Sequence, residues 1–464
     1  NTGLLRNIIF WITQKRWFLF AVLTGSILYF LETPLGLSLE GYRTLIIVIM
    51  AIILIIFEPI PLPGVAIMML FMQVLLGIDE PNNVAKSFMS DAVFFIMGSL
   101  MLAVAIVSQG LDSRLALGII KLTGNKTWSI VVGFVSISAF LSSFIGEHTV
   151  TAMMMPVGLS LIYNTSTNRA VTKNLAALIL FSIAYGSAIG SIGTPSGGGR
   201  NVIMIEYWQE FGLADITYLG WMKYTYPMLI AQIPIAVIIL WFTFKPKQKV
   251  LDSAVRKLKV QVAKKGVMTG QDITTIIIFF LVFLGWVFLS NRIGLGIIAL
   301  MGVFLYLLLG LIRWSDLNRN TNWGVILFFG AAISIGFQMK ETGAALWIAN
   351  SVIDLLKIIS EDISVLRWIV SVLLTGTLTN LLSNSATIAV IGPIVLNMGG
   401  DPLIMGFSTA IASAFAYLTV VASPTCMIIH SSGLVKQSDY LKAGWKMFFI
   451  SIIILFIMSK IWTI

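Results

Sequence analysis

The chain is a succession of apolar runs of about 15 to 25 residues separated by short polar stretches, and this pattern decides what it can fold into. A run of about 20 apolar residues crosses the hydrocarbon core of a bilayer as a helix. Such runs extend from Trp17–Leu31 to Met447–Ile464 and leave no segment long and polar enough for a separate soluble domain. A large cytosolic catalytic module is therefore excluded. Only 11% of the residues are charged, against about 25% in soluble domains. The one cysteine, Cys426, permits no intramolecular disulfide. No short apolar stretch with a small-residue cleavage site opens the sequence, so the first span is expected to be a real one and not a signal peptide.

The net charge of +10 reads as orientation rather than as affinity for nucleic acid. Most Lys and Arg residues fall in six places: Asn1–Arg16, Arg114–Lys126, Arg169–Lys173, Lys245–Lys265, Arg313–Arg319 and Lys436–Lys446. Basic residues near span ends stay cytoplasmic. With a cytoplasmic N-terminus, all six clusters lie inside only if two segments, near Gly146 and near Ser383, enter the membrane and return. That counting predicts an all-α polytopic membrane protein of about 11 crossings with two re-entrant hairpins and an outside C-terminus. A prokaryotic inner membrane suits the pattern. The basic stretch Lys245–Lys265 reads as a solvated loop that sets topology.

The chain also repeats itself. Phe94–Gly98 leading to Gly110-Leu111 is echoed by Phe328–Gly330 leading to Thr342-Gly343. Glu147–Ala152 with Pro156 is echoed by Ser383–Thr387 with Pro393, and Gly193-Thr194-Pro195 by Ala422-Ser423-Pro424. The charge count starts the two copies on opposite sides, which makes an inverted-topology repeat, an architecture of many secondary transporters. Residues 1–90 read as N-terminal, mostly scaffold helices, and 91–223 as the first repeat. Residues 224–322 read as linking helices, 323–445 as the second repeat and 446–464 as a C-terminal helix.

Each copy breaks its apolar pattern twice, at a hairpin tip and at a Gly/Pro/Ser break: Gly190–Asn201 in the first, Ala422–Cys426 in the second. Irregular backbone survives at membrane depth only when buried in protein or lining a cavity. Helix N-termini exposed at such breaks attract anions, while freed carbonyls and hydroxyls suit a small cation. Ser143, Thr149, Thr379, Ser383, Asn384 and Ser385 are the residue types such a site needs.

These stretches resemble the divalent anion/sodium symporter family, transporters of dicarboxylates, citrate or sulfate. Glu58–Pro63 is similar to the family's EAIPIP segment, and Phe94–Gly98 with Gly110–Leu117 to its fourth helix. Ser383–Thr387 resembles its second SNT signature. Ile216–Tyr224, Trp323–Val325 and Ser423–Gly433 leading to Lys442–Gly444 also match. The resemblance implies a cation-coupled secondary transporter, with sodium or protons as the coupling ion and no other cofactor. It implies a homodimer in which a transport domain moves like an elevator against a scaffold domain. Cation coupling would fall on Ser143, Glu147, Gly193, Thr379, Ser383, Asn384 and Ala422. A small anion, dicarboxylate foremost, would meet His148, Thr149, Thr194, Pro195, Arg200, Asn384, Ser385, Ser423 and Pro424. Anion exchange or sulfate-type transport are the alternatives within the family.

The chain departs from the family pattern at the first tip, where Glu147-His148-Thr149 replaces an SNT triplet, and at the first break, where Arg200 follows. A charge at membrane depth costs at least about 2.5–3.5 kcal/mol. Glu147 therefore pairs with Arg200, carries a coupling proton, or adds a full charge to a sodium site. Arg200 pairs with Glu147 or holds the anion, and His148 contacts the anion, titrates with Glu147 or packs neutral. Glu58 reads as a local cap or pair, and His430 as structural. A membrane enzyme is disfavoured because the chain has two histidines, no HExxH and no GxSxG. A channel would not need matched polar tips in two repeats.

Overall fold

A computed structural model describes residues 15–110, 123–166, 168–263, 268–420 and 422–462. Arg6, Arg114, Lys121, Lys264 and Lys265 of the basic clusters lie outside the described residues, as does 111–117 of the family resemblance.

The described residues form helices. The first are α1 (Arg16–Phe30), α2 (Leu39–Phe57), α3 (Leu62–Leu75), α4 (Pro81–Phe88) and α5 (Asp91–Ser108). The first hairpin is α6 (Thr127–Ile145) and α7 (Glu147–Thr165), followed by α8 (Arg169–Gly190), a 3₁₀ turn (Pro195–Gly197) and α9 (Gly199–Glu210). Linking helices are α10 (Tyr218–Phe244), α11 (Asp252–Ala263), α12 (Gly270–Ile293), α13 (Leu295–Leu308) and α14 (Trp314–Asn320). The second half comprises α15 (Trp323–Glu341), α16 (Ala344–Ile359), α17 (Ser364–Leu378), α18 (Asn384–Asn397), α19 (Pro402–Ala412), α20 (Pro424–Ser431) and α21 (Gln437–Trp462). Eight of these helices are long and apolar enough to cross a membrane. The protein is an all-helical polytopic membrane protein.

Residue choice explains the turns. Gly146, at φ +84°, reverses the chain between α6 and α7 in a conformation that L side chains rarely adopt. Ser383 caps α18 by accepting from the Ala386 amide. Glu58 takes a left-handed conformation (φ 44°) as the C-cap of α2, immediately before the Pro-rich segment. It is a local terminator of the helix.

The first hairpin enters and leaves at one end of the bundle. The Thr127 amide donates to Lys249 O (2.9 Å), the Leu251 amide to Asn125 O (2.9 Å), and Gln248 Nε2 to Val171 O (3.0 Å). The start of α6, the start of α8 and the end of α10 therefore meet, while the tip lies at the far end of α6 against the break after α8. In the second hairpin α17 and α18 also pack together: Ser371 Oγ, midway along α17, contacts Met398 Sδ past the end of α18 (3.7 Å).

The close fit of the first hairpin depends on glycine. A Cβ on Gly190 would overlap the Ala139 carbonyl oxygen and Ser142 Oγ, where α8 passes α6. Gly190→Ala is expected to push these helices apart at a cost of at least about 1–3 kcal/mol. Fluorescence-detected size exclusion after heating should show a lower melting temperature, and an unchanged one would refute this close packing.

Three expectations require correction. Leu403–Val421, which in the sequence reads as one of the uninterrupted apolar spans, is not one helix: α19 stops at Ala412, and the backbone from Ser413 to Ser423 is irregular in its described part. The second break thus opens about ten residues earlier than Ala422, because Asn380 supplies hydrogen bonds that replace the helical ones (Nδ2 to Phe415 O, 3.0 Å; Leu418 N to Oδ1, 2.8 Å). The stretch Lys245–Lys265 is not simply a solvated loop. It contains α11, which buries Ala254 and Val255 and packs on α7, and Leu251 immediately before it is buried as well. Finally, Ala344–Ile359 is a helix that no run in the hydropathy pattern marked.

Candidate anion and cation site between the hairpin tips

Both hairpin tips and both breaks converge on one cavity of about 140 Å³. Its wall includes Gly146, Glu147 and His148 from the first tip and Pro195–Arg200 from the first break. Ser383–Ser385 come from the second tip and Pro424 from the second break, with Phe95, Ser99, Phe328 and Phe329 closing the opposite side. Four segments spread along the chain from Gly146 to Pro424 thus share one small space.

Glu147 is the hub. It is buried (3% exposed) at the N-terminus of α7, where the helix dipole favours a negative charge. Its Oε1 accepts from Asn384 Nδ2 at 3.0 Å and lies 3.5 Å from Arg200 Nη1. Ser191 Oγ lies 3.2 Å from Oε2 and accepts from Arg200 Nη2. The Glu147–Asn384 bond joins the two repeats directly. Arg200 is 1% exposed and pairs with Glu147, and it also lines the cavity. Of the two placements that the sequence left open, pairing with Glu147 or holding the anion, the geometry gives the pairing and sets the guanidinium in the cavity wall. His148 Nδ1 lies 3.9 Å from Glu147 Oε1 and makes no hydrogen bond.

The first break is held open by side chains. Asn201 Nδ2 donates to the carbonyls of Ser191 and Thr194, both at 2.8 Å. Trp221 Nε1 donates to Ile192 O (2.8 Å) and Thr225 Oγ1 to Gly193 O (2.9 Å). Ser143 Oγ donates to Gly190 O (2.9 Å), and the Thr194 hydroxyl donates to Ser143 O. In the second half, Thr379 Oγ1 lies 2.6 Å from Ser413 O and 2.9 Å from Asn384 Oδ1. Ser423 Oγ accepts from the Cys426 amide and caps α20.

Of the expected substrate residues, His148, Pro195, Arg200, Asn384, Ser385 and Pro424 line the cavity, whereas Thr149, Thr194 and Ser423 do not. The Thr194 hydroxyl donates to Ser143 O near the end of α6, and the Ser423 hydroxyl accepts from the Cys426 amide within its own break. Of the expected coupling residues, Glu147, Ser383 and Asn384 reach the cavity. Ser143, Gly193, Thr379 and Ala422 are fully buried behind or beside it. Sequence reasoning missed Ser191, Asn201, Trp221 and Thr225. Trp221 and Thr225 stand four apart on α10, a spacing that places both on one helix face. A larger cavity, about 810 Å³, lies away from the tips between α2, α4, α9 and α15. Its wall carries Glu40, Asp79, Glu206, Glu210 and Glu341 against a single lysine, a charge that repels anions.

The chain is 27% identical to the sodium-dependent high-affinity dicarboxylate transporter 3 of Caenorhabditis elegans, with 83% of this chain and 77% of that protein covered. It is 27% identical to the sodium-dependent dicarboxylate transporter SdcS of Staphylococcus aureus, with 94% and 89% covered. Solved structures with a similar fold include the Neisseria gonorrhoeae efflux pump MtrF (TM-score 0.54, 13% identity, 84% of each chain). Another is the Alcanivorax borkumensis YdaH transporter (TM-score 0.50, 12% identity, 81% of this chain and 86% of that one). A family model for the sodium:sulfate symporter transmembrane region matches residues 13–464. The chain therefore belongs to the sodium:sulfate symporter family of secondary active anion transporters.

Proposed function

We propose that the protein is a sodium-coupled transporter of a small dicarboxylate such as succinate. The observation that carries this reading is the cavity bounded by both tips and both breaks, with Arg200 in its wall. One carboxylate of the substrate meets Arg200 and His148, the first through a bidentate guanidinium contact. The other meets Asn384 and Ser385, and the N-termini of α9 and α20 add dipoles favourable to both. The coupling cation sits among Thr379, Asn384 and the Ser413 carbonyl, whose oxygens crowd together around one hydroxyl proton. The names of the worm and staphylococcal relatives support both the sodium and the dicarboxylate.

The chain divides into two units. α6–α9 and α17–α20 form a transport domain that moves like an elevator, and the remaining helices form a scaffold that dimerises. The cation binds first and shapes the tips, and the anion follows. A half-loaded domain would drag an uncompensated charge through the barrier, so only the loaded or empty domain crosses. The N-terminus is cytoplasmic and the C-terminus outside, in a prokaryotic inner membrane. In proteoliposomes, an inward sodium gradient should drive radiolabelled succinate uptake, and an inward proton gradient alone should not. Citrate and sulfate serve as competitors. Uptake driven by protons without sodium would assign coupling to Glu147 and overturn the sodium reading.

A further inference from the structure

The two halves of the site repeat one another, so the first can be measured against the second. In each, a hydroxyl before the hairpin tip reaches the end of the helix that follows the hairpin: Ser143 to Gly190 O, and Thr379 to Ser413 O. Beyond that shared bond the halves diverge.

In the first half the backbone carbonyls at the start of the break and the Glu147 carboxylate already have protein donors, and the one buried side-chain oxygen of the described break without a partner, Asn201 Oδ1, belongs to the residue whose Nδ2 supplies two of them. The five successive carbonyls of residues 190–194 accept from Ser143, Asn201, Trp221, Thr225 and again Asn201. The strongest ligand there, the Glu147 carboxylate, faces Arg200 at 3.5 Å and Asn384 Nδ2 at 3.0 Å. A hard cation is held by oxygens whose lone pairs face it, and here N–H and O–H groups face them instead. The guanidinium is permanently protonated, so it cannot leave the carboxylate by losing charge.

In the second half the balance reverses. The Asn384 amide nitrogen must face Glu147, because a carboxylate only accepts, so the amide oxygen faces Thr379. Thr379 has one hydroxyl proton for two oxygens, Asn384 Oδ1 and Ser413 O, and one of the pair therefore goes without a donor from it. The spacing that carries Pro195 to Pro424 carries Arg200 to Ile429, a fully buried apolar residue. The second half thus has excess oxygen and no cation at the position equivalent to Arg200.

We infer that the protein binds a single coupling cation, in the second half of the site, because the Arg200 guanidinium permanently fills the cation's place in the first. The inference rests on the sodium-coupled reading above and goes beyond it by fixing the number of ions. The asymmetry between the repeats makes the coupling ratio a property of one side chain.

The test is equilibrium binding of radioactive sodium to the purified full-length chain. One ion per chain is expected. Two ions per chain with Arg200 intact would overturn the inference and leave sodium coupling standing. No bound sodium would overturn the sodium-coupled reading itself, and the inference with it. In a folded Arg200→Ala variant, Glu147 and Ser191 are released. Its bound sodium should rise to two per chain, with the Hill coefficient for sodium rising from about one toward about two. A folded variant that stays at one ion would refute Arg200 as the occupant. The measurement on the unaltered chain does not depend on that variant folding.

Discussion

Replacing Asn384 with alanine should lower sodium-driven succinate uptake by about 100-fold or more while leaving a monodisperse protein. Asn384 serves both halves of the site at once. Its amide nitrogen donates to the Glu147 carboxylate in the first repeat, and its amide oxygen faces the Thr379 hydroxyl in the second. A hydrogen bond to a charged group contributes about 1.5–3 kcal/mol, and an ordinary one about 1 kcal/mol. Losing both would weaken the joint between the tips by more than about 2.5 kcal/mol, which is about two orders of magnitude in an equilibrium constant. The variant also loses a direct ligand of the proposed cation and of the anion, so binding and closure fail together. Uptake within threefold of the unaltered protein would remove Asn384 from the site.

The second large effect concerns the buried ion pair. Glu147→Gln keeps the shape of the side chain but leaves Arg200, at 1% exposure, without its counter-charge. Breaking one side of a buried pair costs about 3–5 kcal/mol, because the remaining charge is still out of water. The variant should therefore melt well below the unaltered protein in detergent. The double variant Glu147→Gln/Arg200→Gln removes both charges and should recover most of that loss. A double variant no more stable than either single one would show that the two side chains act independently. Arg200 also stands in the cavity wall, where it presents a fixed positive charge.

The comparison of the two repeats explains why such a pair was hard to read in advance. Glu147 and Arg200 stand 53 positions apart, and both break a pattern that otherwise favours Ser, Thr and Asn. Their abnormality was legible: charged residues at membrane depth are costly and need partners. Which partner each takes was not, because side chains on separate broken helices meet only when those helices pack. The same holds for Asn384, whose residue type fits either ion or substrate binding and whose contact to Glu147 spans 237 positions.

Other parts were open to reading because their physics is local. Helix formation in lipid follows from the length of each apolar run. The reversal at Gly146 follows from a glycine between two runs, and the end of α18 at the tip follows from a serine cap. The break at Ser413 lay hidden in an apolar run because nothing in its composition interrupts a helix. Asn380, more than thirty residues away, satisfies the released backbone there. α11 was hidden for the converse reason: its basic face reads as a loop, and only its packing on α7 gives the buried residues Ala254 and Val255 a purpose.

The sequence by itself determined that this is a helical membrane protein with two repeated hairpins and two broken helices, because the bilayer forces each span to satisfy its own backbone. It also determined the family and the short segments that the proposed site is built from. Tertiary structure alone decided that the tips meet, that Arg200 takes the Glu147 carboxylate, and that the backbone carbonyls of residues 190–194 each meet a side-chain donor while Thr379 has one proton for two oxygens. Those outcomes depend on distances between groups far apart in the chain, and hydrogen bonds and ion pairs discriminate at the scale of a few tenths of an ångström.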